Sequence, residues 1–472
     1  MLFNSMAYAF FLPVVFILYH CLPHRYRWIL LLVASYWFYM SWNPAYVVLI
    51  LFTTCVSYFC GILLEKQAAV HARRLVLLFS LFLCLGVLFV FKYYNFTVDS
   101  LSHIIPFTPR YLNVLLPVGI SFYTFQSLSY VIDVYRGRIH AERHFGIYAT
   151  FVSFFPQLVA GPIERSDHLL PQIRAEHGFD PQGTRYGIRL ILWGLIKKVL
   201  IADNLAAYVD RVYGDIYSCS GFCVLLATLF FTIQIYCDFS GYSDIARGSA
   251  RMFGIDLMEN FKSPYFADSV RDFWKRWHIS LSSWFKDYLY IPLGGNRCGV
   301  IRRNLNILVT FLISGLWHGA NWTFVVWGGL HGLAQICENL TGAGKTQSRG
   351  IRLLLRRIVV FCFAAFAWIF FRANDLSQGF YAVRVLFTGI TAPAAYLRDG
   401  LQVLGIGLSA AIETSFYILL LSAYDLISLK TDIIAWIGER TPLIRHAALI
   451  AAIGILLLFG YTGQSAFVYF QF

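Results

Sequence analysis

The sequence predicts an all-α, polytopic integral membrane protein. Of its 472 residues, 58% are hydrophobic and only 13% are charged. Soluble domains have about 45–50% apolar and about 25% charged residues, so this balance indicates a bilayer as the solvent. Because one span needs about 20 apolar residues, the chain has room for roughly 11–13 transmembrane helices. A soluble multidomain enzyme is therefore excluded, and we expect one transmembrane domain over residues 1–472.

The basic charge of the chain fits the same class. The formal net charge is +13, but the Lys and Arg residues lie in short loops between apolar runs, for example at 24–27 and 71–74. Such loops stay in the cytoplasm and orient a membrane protein. The charge is thus explained by topology, with membrane lipids rather than nucleic acid as the partner.

The amino-terminal helices occupy about residues 1–160. The first run lacks a basic leader and a small-residue cleavage site, so we expect a retained helix rather than a signal peptide. Asn43-Pro44 breaks a run too long for one span and predicts a tight hairpin. Pro156, Gly161 and Pro162 place broken backbone at 154–164, either beside a cavity or at a plain helix end. The predicted spans fall near 6–22, 28–40, 44–64, 75–94, 112–131 and 145–160.

The middle region, about 186–340, contains a segment too polar for a simple crossing. Apolar runs near 186–202 and 222–237 precede it, and runs near 304–317 and 320–337 follow it. Within it, apolar residues recur at spacings of three and four, which predicts an amphipathic or re-entrant helical segment near 260–296. This stripe consists of Trp274, Trp277, Leu281, Trp284 and Tyr288.

The carboxy-terminal helices occupy about 354–472, with spans near 354–371, 379–397, 404–422 and 445–462. The chain closes on an aromatic tail, 467–472, that suits the bilayer interface.

His318 is the best candidate for chemistry. It lies in an apolar run between small residues, Gly315 and Gly319, that let neighbouring helices approach closely. An ionisable side chain in a span faces the protein interior or a water-filled route, and imidazole suits proton transfer near neutral pH. The alternative is a structural histidine bonded to a backbone carbonyl.

Two other histidines stand nearby in the sequence. On a continuous helix, His278 is four residues from Trp274 and three from Leu281, which aims it at the apolar face. It is either a partner of His318 across a cavity or an anchor at the headgroup level. His331 is thirteen residues from His318, about 220° away on a helix, and we interpret it as structural.

Several patterns carry no site. Gly342–Thr346 imitates the end of a phosphate-binding loop but lacks the glycine five residues earlier and the preceding strand. The acidic residues match no metal-ligand spacing, and Asp272 with Lys275 or Arg276 is interpreted as a helical ion pair. The ten cysteines lack zinc spacing and are interpreted as small core residues. The acidic residues in question are Asp238, Asp244, Asp256, Glu259, Asp268 and Asp272.

Taken together, these stretches resemble the membrane-bound O-acyltransferase family, and within it the bacterial branch of alginate O-acetylase and the peptidoglycan O-acetyltransferase membrane subunit. The resemblance covers nearly the whole chain. It rests on DFWKRWHISLSSWFKDYLYIPLGGNR, SGLWHGANWTFVVWGGLHG, YCDFSGYSDIARG, the opening MLFNS with LLLVASYWFY, and the ending FVYFQF.

The resemblance implies that His318 is the family's intramembrane histidine and His278 its second active-site histidine. It further implies a central funnel, acetyl-CoA as donor substrate without a permanently bound cofactor or metal, and a multi-pass location in the bacterial plasma membrane. An SGNH-type extracytoplasmic partner would complete transfer to a polysaccharide. We expect substrate-binding roles for Asn260, Trp277, Trp317, Asn321 and Asp238.

Acyl transfer from a thioester needs a base for the incoming hydroxyl and a donor for the oxyanion. One imidazole can do the first, and a second imidazole or Asn321 the second. The lack of a G-x-S-x-G elbow favours direct transfer without excluding an acyl-enzyme. Two alternatives stay open at this point: a transporter or channel that uses a buried histidine, and a non-catalytic subunit of an export complex.

Overall fold

The structure is all-helical. The computed structural model describes residues 1–159, 161–343, 349–461, 463 and 467–468. No strand forms among them, and six of their helices are long and apolar enough to cross a membrane. This confirms an all-α polytopic membrane protein; the count of 11–13 spans and the funnel stay predictions. The six candidate spans are Pro44–Lys66, Val70–Ser102, Gly221–Met252, Gly350–Arg372, Leu408–Ser428 and Pro442–Phe459.

The α-helices are numbered in chain order. The first eleven are α1 Met6–Cys21, α2 His24–Met40, α3 Val47–Lys66, α4 Val70–Leu88, α5 Tyr94–Ser102, α6 Ile120–Tyr135, α7 Phe145–Ser153, α8 Phe155–Leu158, α9 Ser166–Arg174, α10 Pro181–Leu195 and α11 Asp203–Gly214. The others are α12 Gly221–Met252, α13 Val270–Arg276, α14 Ile279–Phe285, α15 Val300–His318, α16 Trp322–Thr341, α17 Gly350–Arg372, α18 Leu376–Leu386, α19 Pro393–Leu404, α20 Leu408–Ser428, α21 Ile433–Gly438 and α22 Pro442–Phe459.

The chain forms two compact units. One comprises Met1–Ile191 with Ser243–Glu259, and the other comprises Leu192–Tyr242 with Asn260–Phe472. The candidate histidines His278, His318 and His331 all belong to the second unit, so the candidate site can be described within it.

The predicted hairpin of the first unit is confirmed. α2 ends at Met40, a 3₁₀ turn occupies Pro44–Tyr46, and α3 follows. Asn43 caps this turn, because its Oδ1 accepts a hydrogen bond from the Ala45 amide at 3.0 Å. The asparagine and proline thus act together, one as a cap and the other as a first-turn residue without an amide proton.

Two predicted spans of the first unit were wrong in detail. The run 112–131 becomes helical only at Ile120, after Gly119 adopts a left-handed conformation with φ of 76°. The run 145–160 is broken into α7 and α8 at Phe154, one residue before a Phe-Pro pair. The broken backbone predicted at 154–164 is present, and the described residues of this segment are buried. Ala160 lies outside the described residues. Its cavity stays a prediction.

α12 is longer than its predicted span. We expected the apolar run to end near residue 237, because acidic and small residues follow. The helix instead continues for 32 residues to Met252. Polar residues inside it are buried with partners of their own, as with the Ser249 hydroxyl, which donates to the Ile245 carbonyl at 2.7 Å. Local polarity therefore did not mark the helix end.

Trp274, Trp277, Leu281 and Trp284 of the Trp-rich stripe are buried and Tyr288 is partly exposed, but the stripe is not one helix. α13 ends at Arg276 and α14 begins at Ile279. The break has a non-local cause: the Lys262 amide donates to the Arg276 carbonyl and the Ile279 amide donates to the Asn260 carbonyl, each at 2.9 Å. Backbone groups that would continue the helix are thus paired with the segment 260–262. The predicted ion pair of Asp272 and Arg276 is confirmed at 2.8 Å.

One carboxy-terminal prediction differs from the structure. The span 379–397 is two helices, α18 and α19, because a turn precedes Pro393. In the aromatic tail only Phe467 and Val468 are described; 469–472 lie outside the described residues, as do Lys345 and Thr346 of the loop that follows α16.

The cysteines were predicted to be core residues, and this is correct for only four of them. Cys60, Cys84, Cys223 and Cys237 are buried. Cys21, Cys337 and Cys362 are exposed and Cys55, Cys219 and Cys298 are partly exposed. An apolar run does not distinguish a helix face that packs on protein from one that faces lipid.

α15 and α16 cross at two glycines. A Cβ atom added at Gly315 would lie 2.2 Å from the Phe324 carbonyl oxygen, and one at Gly328 would lie 2.2 Å from that of Phe311. These distances are too short for any side chain. The close approach that small residues beside His318 predicted is therefore present, and it fixes the two helices around that histidine.

We predict that Gly328→Ala destabilises the protein by about 1–3 kcal/mol, the usual cost of overpacking. The neighbouring Gly329→Ala is the matched control, because its added Cβ would meet only Leu312 Cδ2, at 3.6 Å. Thermal unfolding of the detergent-solubilised protein measures both. Equal melting temperatures for the two variants would show that the crossing has more freedom than the structure indicates.

Candidate active site

His278 lies in the break between α13 and α14. Its backbone is left-handed, with φ of 44° and ψ of 54°. Few residues other than glycine adopt this conformation, although histidine does so more often than most. The side chain is fully buried. A strained backbone that presents a buried imidazole is the kind of feature that clusters at functional sites.

Asn260 determines the tautomer of His278. Asn260 Oδ1 accepts hydrogen bonds from the Ser280 amide at 3.2 Å and the Ser280 hydroxyl at 3.0 Å. Because a backbone amide can only donate, this atom is an acceptor. His278 Nδ1, which is 3.1 Å from it, must therefore carry the proton. Nε2 of the neutral ring is then left with a lone pair that can accept a proton.

Burial also keeps this imidazole neutral. It lowers the pKa of His278 to about 3, since removal from water disfavours the charged form. The ring is therefore uncharged at neutral pH, and its Nε2 carries a lone pair. A surface histidine with an ordinary pKa would be partly protonated there.

The fold brings His318 close to His278. His318 is the last residue of α15 and is 3% exposed. The two ring centroids are 6.2 Å apart, although forty residues separate them in the chain. The fold thus places the imidazole at the end of α15 next to the imidazole at the break before α14.

Aromatic rings surround the pair. Trp317 lies 5.0 Å from His318 and 6.0 Å from His278, between centroids. Trp327 and Phe371 contact His318 at 5.0 and 5.5 Å, and Phe239 contacts His278 edge-on at 4.6 Å. Of the predicted substrate-binding residues, Trp317 is thus in contact with both histidines. The apolar lining keeps the local dielectric low, which strengthens every polar interaction made there.

Trp277 packs against aromatic rings of the same region. It is fully buried and packs on Trp368 at 5.0 Å and on Phe273 at 5.5 Å. Trp368 in turn stacks on Trp327 at 5.5 Å, so the three indoles form a continuous wall. Trp277 is adjacent to His278 in the chain, and its substrate-binding role stays a prediction.

The side chains of Asn321 and Asp238 form hydrogen bonds or ion pairs with other parts of the protein. Asn321 caps α16, with Oδ1 accepting from the Thr323 amide at 3.1 Å and Nδ2 donating to the Asn374 carbonyl at 2.7 Å. Asp238 Oδ1 lies 2.6 Å from the Lys198 ammonium, and its Oδ2 accepts from the Val468 amide at 2.7 Å. These contacts account for both side chains as structural groups. A role in substrate binding stays a prediction for each.

His331 is held by tryptophan. The Trp274 indole N–H donates to His331 Nδ1 at 3.2 Å, and the imidazole stacks on Phe273 with a centroid distance of 6.0 Å. The ring is fully buried. This arrangement suits the structural interpretation and ties α13 to α16.

Several neighbours of the histidines were not anticipated from the sequence. Ser280, Phe239, Trp327 and Phe371 all contact the pair or Asn260. Phe239 lies beside Asp238 and Trp327 lies on the helix after His318, so both stood inside stretches already singled out. Phe371 lies on α17 and carried no local signal. No group of three or more metal-ligating side chains occurs in the described residues.

Comparison with known proteins places this site inside a recognised family. The family model described as MBOAT, membrane-bound O-acyltransferase family, matches residues 142–382, which include both histidines and Asn260. A Pseudomonas aeruginosa protein named probable alginate O-acetylase AlgI is 40% identical over 82% of this chain and 75% of its own. A Helicobacter pylori peptidoglycan O-acetyltransferase is 36% identical over 82% and 79%. A Bacillus subtilis teichoic acid D-alanyltransferase is 27% identical over 51% and 62%.

Proposed function

The chain belongs to the membrane-bound O-acyltransferase family and is a multi-pass membrane acyltransferase, and from this premise we propose that it transfers acetyl from cytoplasmic acetyl-CoA across the membrane for O-acetylation of a polysaccharide. The family membership decides against the transporter, channel and non-catalytic alternatives. Acetyl is the proposed acyl group because the relatives that cover most of the chain are named for O-acetylation.

The convergence of His278 and His318 carries the proposal. Their rings lie 6.2 Å apart in an apolar surrounding, at a strained break and a helix end that the fold holds in place. Two imidazoles at this separation supply what a thioester transfer needs: a proton acceptor and a hydrogen-bond donor.

In the proposed reaction the two rings act as one unit. An acceptor hydroxyl attacks the thioester carbonyl carbon, and its proton passes to an imidazole lone pair. The other ring hydrogen-bonds the carbonyl oxygen as negative charge develops on it. The tetrahedral intermediate then expels the coenzyme A thiolate, which leaves with the electron pair of the C–S bond. Asn260 supports this scheme, because it holds the Nε2 lone pair of His278 ready to accept a proton.

The proposal also includes an acceptor and a partner protein. The relatives are named for alginate and for peptidoglycan, so we propose an exported or cell-surface glycan of this kind. An SGNH-type extracytoplasmic partner would carry the acetyl group onto the sugar hydroxyls. The bacterial inner membrane is the location at which cytoplasmic acetyl-CoA and an outer acceptor face one protein.

Labelled acetyl-CoA tests the proposal directly. We expect that sealed inside-out vesicles containing the protein and its partner, given [¹⁴C]acetyl-CoA outside, accumulate label on glycan trapped inside. Vesicles with His318→Ala are the control. Label that reaches glycan only after the vesicles are permeabilised would contradict transfer across the membrane. Absence of label under both conditions would contradict acetyl-CoA as the donor.

A further inference from the structure

The imidazole of His331 on α16 lies among aromatic rings from three other helices as well as its own. It is nearly parallel to the rings of Phe273 on α13 and Phe311 on α15, at interplanar angles of 10° and 20°. The rings of Trp327 on α16 and Phe363 on α17 meet it edge-on, with centroid distances of 5.0 and 5.2 Å. Four helices thus meet at one side chain.

The hydrogen bond from Trp274 fixes the tautomer of His331. An indole N–H can only donate, so His331 Nδ1, which is 3.2 Å from Trp274 Nε1, is an acceptor with a lone pair. In the neutral ring the proton is then on Nε2. This tautomer is the opposite of the one that Asn260 imposes on His278, where the proton is on Nδ1.

This tautomer leaves a buried donor unpaired. The His331 ring is fully buried, and among the residues that the structure describes its Nε2 has no hydrogen-bond partner. A buried N–H without a partner costs about 1–3 kcal/mol. An apolar side chain of similar volume would fill the same space without that cost. What the imidazole supplies, and an apolar residue could not, is the acceptor for the Trp274 indole.

Trp274 connects His331 to His278. It lies on α13, four residues before His278, and α13 ends at the break that presents that histidine. The start of α13 is held separately, because the Glu338 carboxylate of α16 accepts from the Val270 amide at 2.6 Å. The bond to His331 therefore anchors the other half of α13 to α16, and it fixes where His278 lies relative to that helix.

Trp327 connects His331 to His318. Its ring is fully buried and lies 5.0 Å from each of the two imidazoles, between centroids. It is nearly perpendicular to the His318 ring, at 88°. His331 thus contacts one neighbour of each of the two histidines whose rings lie 6.2 Å apart.

We propose that His331 is a positioning residue. By accepting from Trp274 and packing on Trp327, it sets the separation of His278 and His318, and it takes no part in proton transfer itself. This inference rests on the proposed function, in which those two rings act as one unit. A misplacement of about 1 Å can reduce a rate about a hundredfold, so a contact outside the reacting pair is sufficient to matter.

Variants at the two ends of the hydrogen bond test the proposal. We expect His331→Leu and Trp274→Phe each to lower kcat for acetyl transfer by about ten- to a hundredfold, with little change in KM for acetyl-CoA. His331→Gln should recover most of the loss, because its amide oxygen can accept from the indole. The double variant His331→Leu with Trp274→Phe should be little slower than the slower single variant, since both changes remove the same bond.

Phe363→Leu is the matched control. Phe363 contacts the His331 ring, and within the described part of the chain it makes no ring contact with Trp274 or Trp327. It should alter the melting temperature without lowering kcat per folded protein. An equal loss of kcat in Phe363→Leu and His331→Leu, or no advantage of His331→Gln over His331→Leu, would overturn the proposal.

The pH dependence separates positioning from proton transfer. In His331→Gln the pH–rate profile should keep the midpoints of the wild type, because the groups that gain and lose protons are unchanged. The disappearance of one limb of the profile would show that His331 itself exchanges a proton in the reaction, which contradicts a positioning role.

Nitrogen NMR of the intact protein with ¹⁵N-labelled histidine gives a readout that needs no turnover. We expect an unprotonated Nδ1 for His331, and ring signals of His278 and His318 that shift in Trp274→Phe but not in Phe363→Leu. Shifted signals support the positioning role even if no acetyl reaches a glycan. Unshifted signals in Trp274→Phe contradict it even if transfer occurs, so its failure is distinguished from a failure of the proposed function.

Discussion

Replacing His318 with alanine is expected to reduce the rate of acetyl transfer by about 10²–10⁴-fold, the usual contribution of a positioned acid–base group. The imidazole ends α15 and faces His278 at 6.2 Å. Its loss would remove one of the two groups that we propose handle the proton and the oxyanion. The measurement is the initial rate of [¹⁴C]acetyl transfer, normalised to the amount of membrane-inserted protein.

A change in folding must be separated from a change in chemistry. His318→Gln keeps most of the side-chain volume against Trp327 and Phe371, and should lose activity without a large fall in melting temperature. An acetylation rate equal to wild type in His318→Ala would exclude this histidine from the reaction.

His278→Asn is expected to cause the second large loss, about 10²-fold or more in kcat, again through proton transfer. Asparagine is the suitable replacement because it tolerates the left-handed backbone that His278 adopts, whereas alanine would add strain of about 1–2 kcal/mol. The rate and the melting temperature should be measured together. Wild-type kcat in His278→Asn would reduce the residue to a structural part of the break.

Combining the two changes shows whether the rings act as a unit. Groups that share one step are strongly non-additive, so the double variant should be little slower than the slower single variant. Multiplication of the two individual losses would instead indicate that the histidines contribute independently.

The fold class and the proximity of His278 to His318 could be predicted from the sequence for different reasons, whereas the catalytic roles of the two histidines stay predictions. The membrane class is predicted from the composition of the whole chain, so an error in the bounds of one helix does not change it. The stripe of Trp274, Trp277, Leu281 and Trp284 correctly predicted which side chains are buried. His318 was preferred to His331 because of helical spacing and small neighbours, and this preference stays a prediction. In the structure the Trp274 indole donates a hydrogen bond to His331.

What could not be predicted depends on contacts between distant segments. The break at His278 exists because residues 260–262 pair with the backbone of α13 and α14, and no local residue marks it. The contacts of Asn260 with His278 and Ser280 join residues 18 and 20 positions apart in the chain, and its predicted substrate-binding role stays a prediction. The cleft that Phe266 lines together with side chains of α13 and α17 could not be predicted either, because periodicity in one helix carries no information about its neighbours.

The crossing of α15 and α16 has a consequence for acyl-chain selectivity. Because Gly315 and Gly328 leave no room between the backbones, the spacing of these helices is already at its minimum and no side chain there can tune it. The space around His318 can then be enlarged only at its rings, such as Trp317, Trp327 and Phe371. Adaptation of this protein to a bulkier acyl group would therefore require smaller residues in place of individual aromatic side chains, while the spacing of the two helix backbones stays the same.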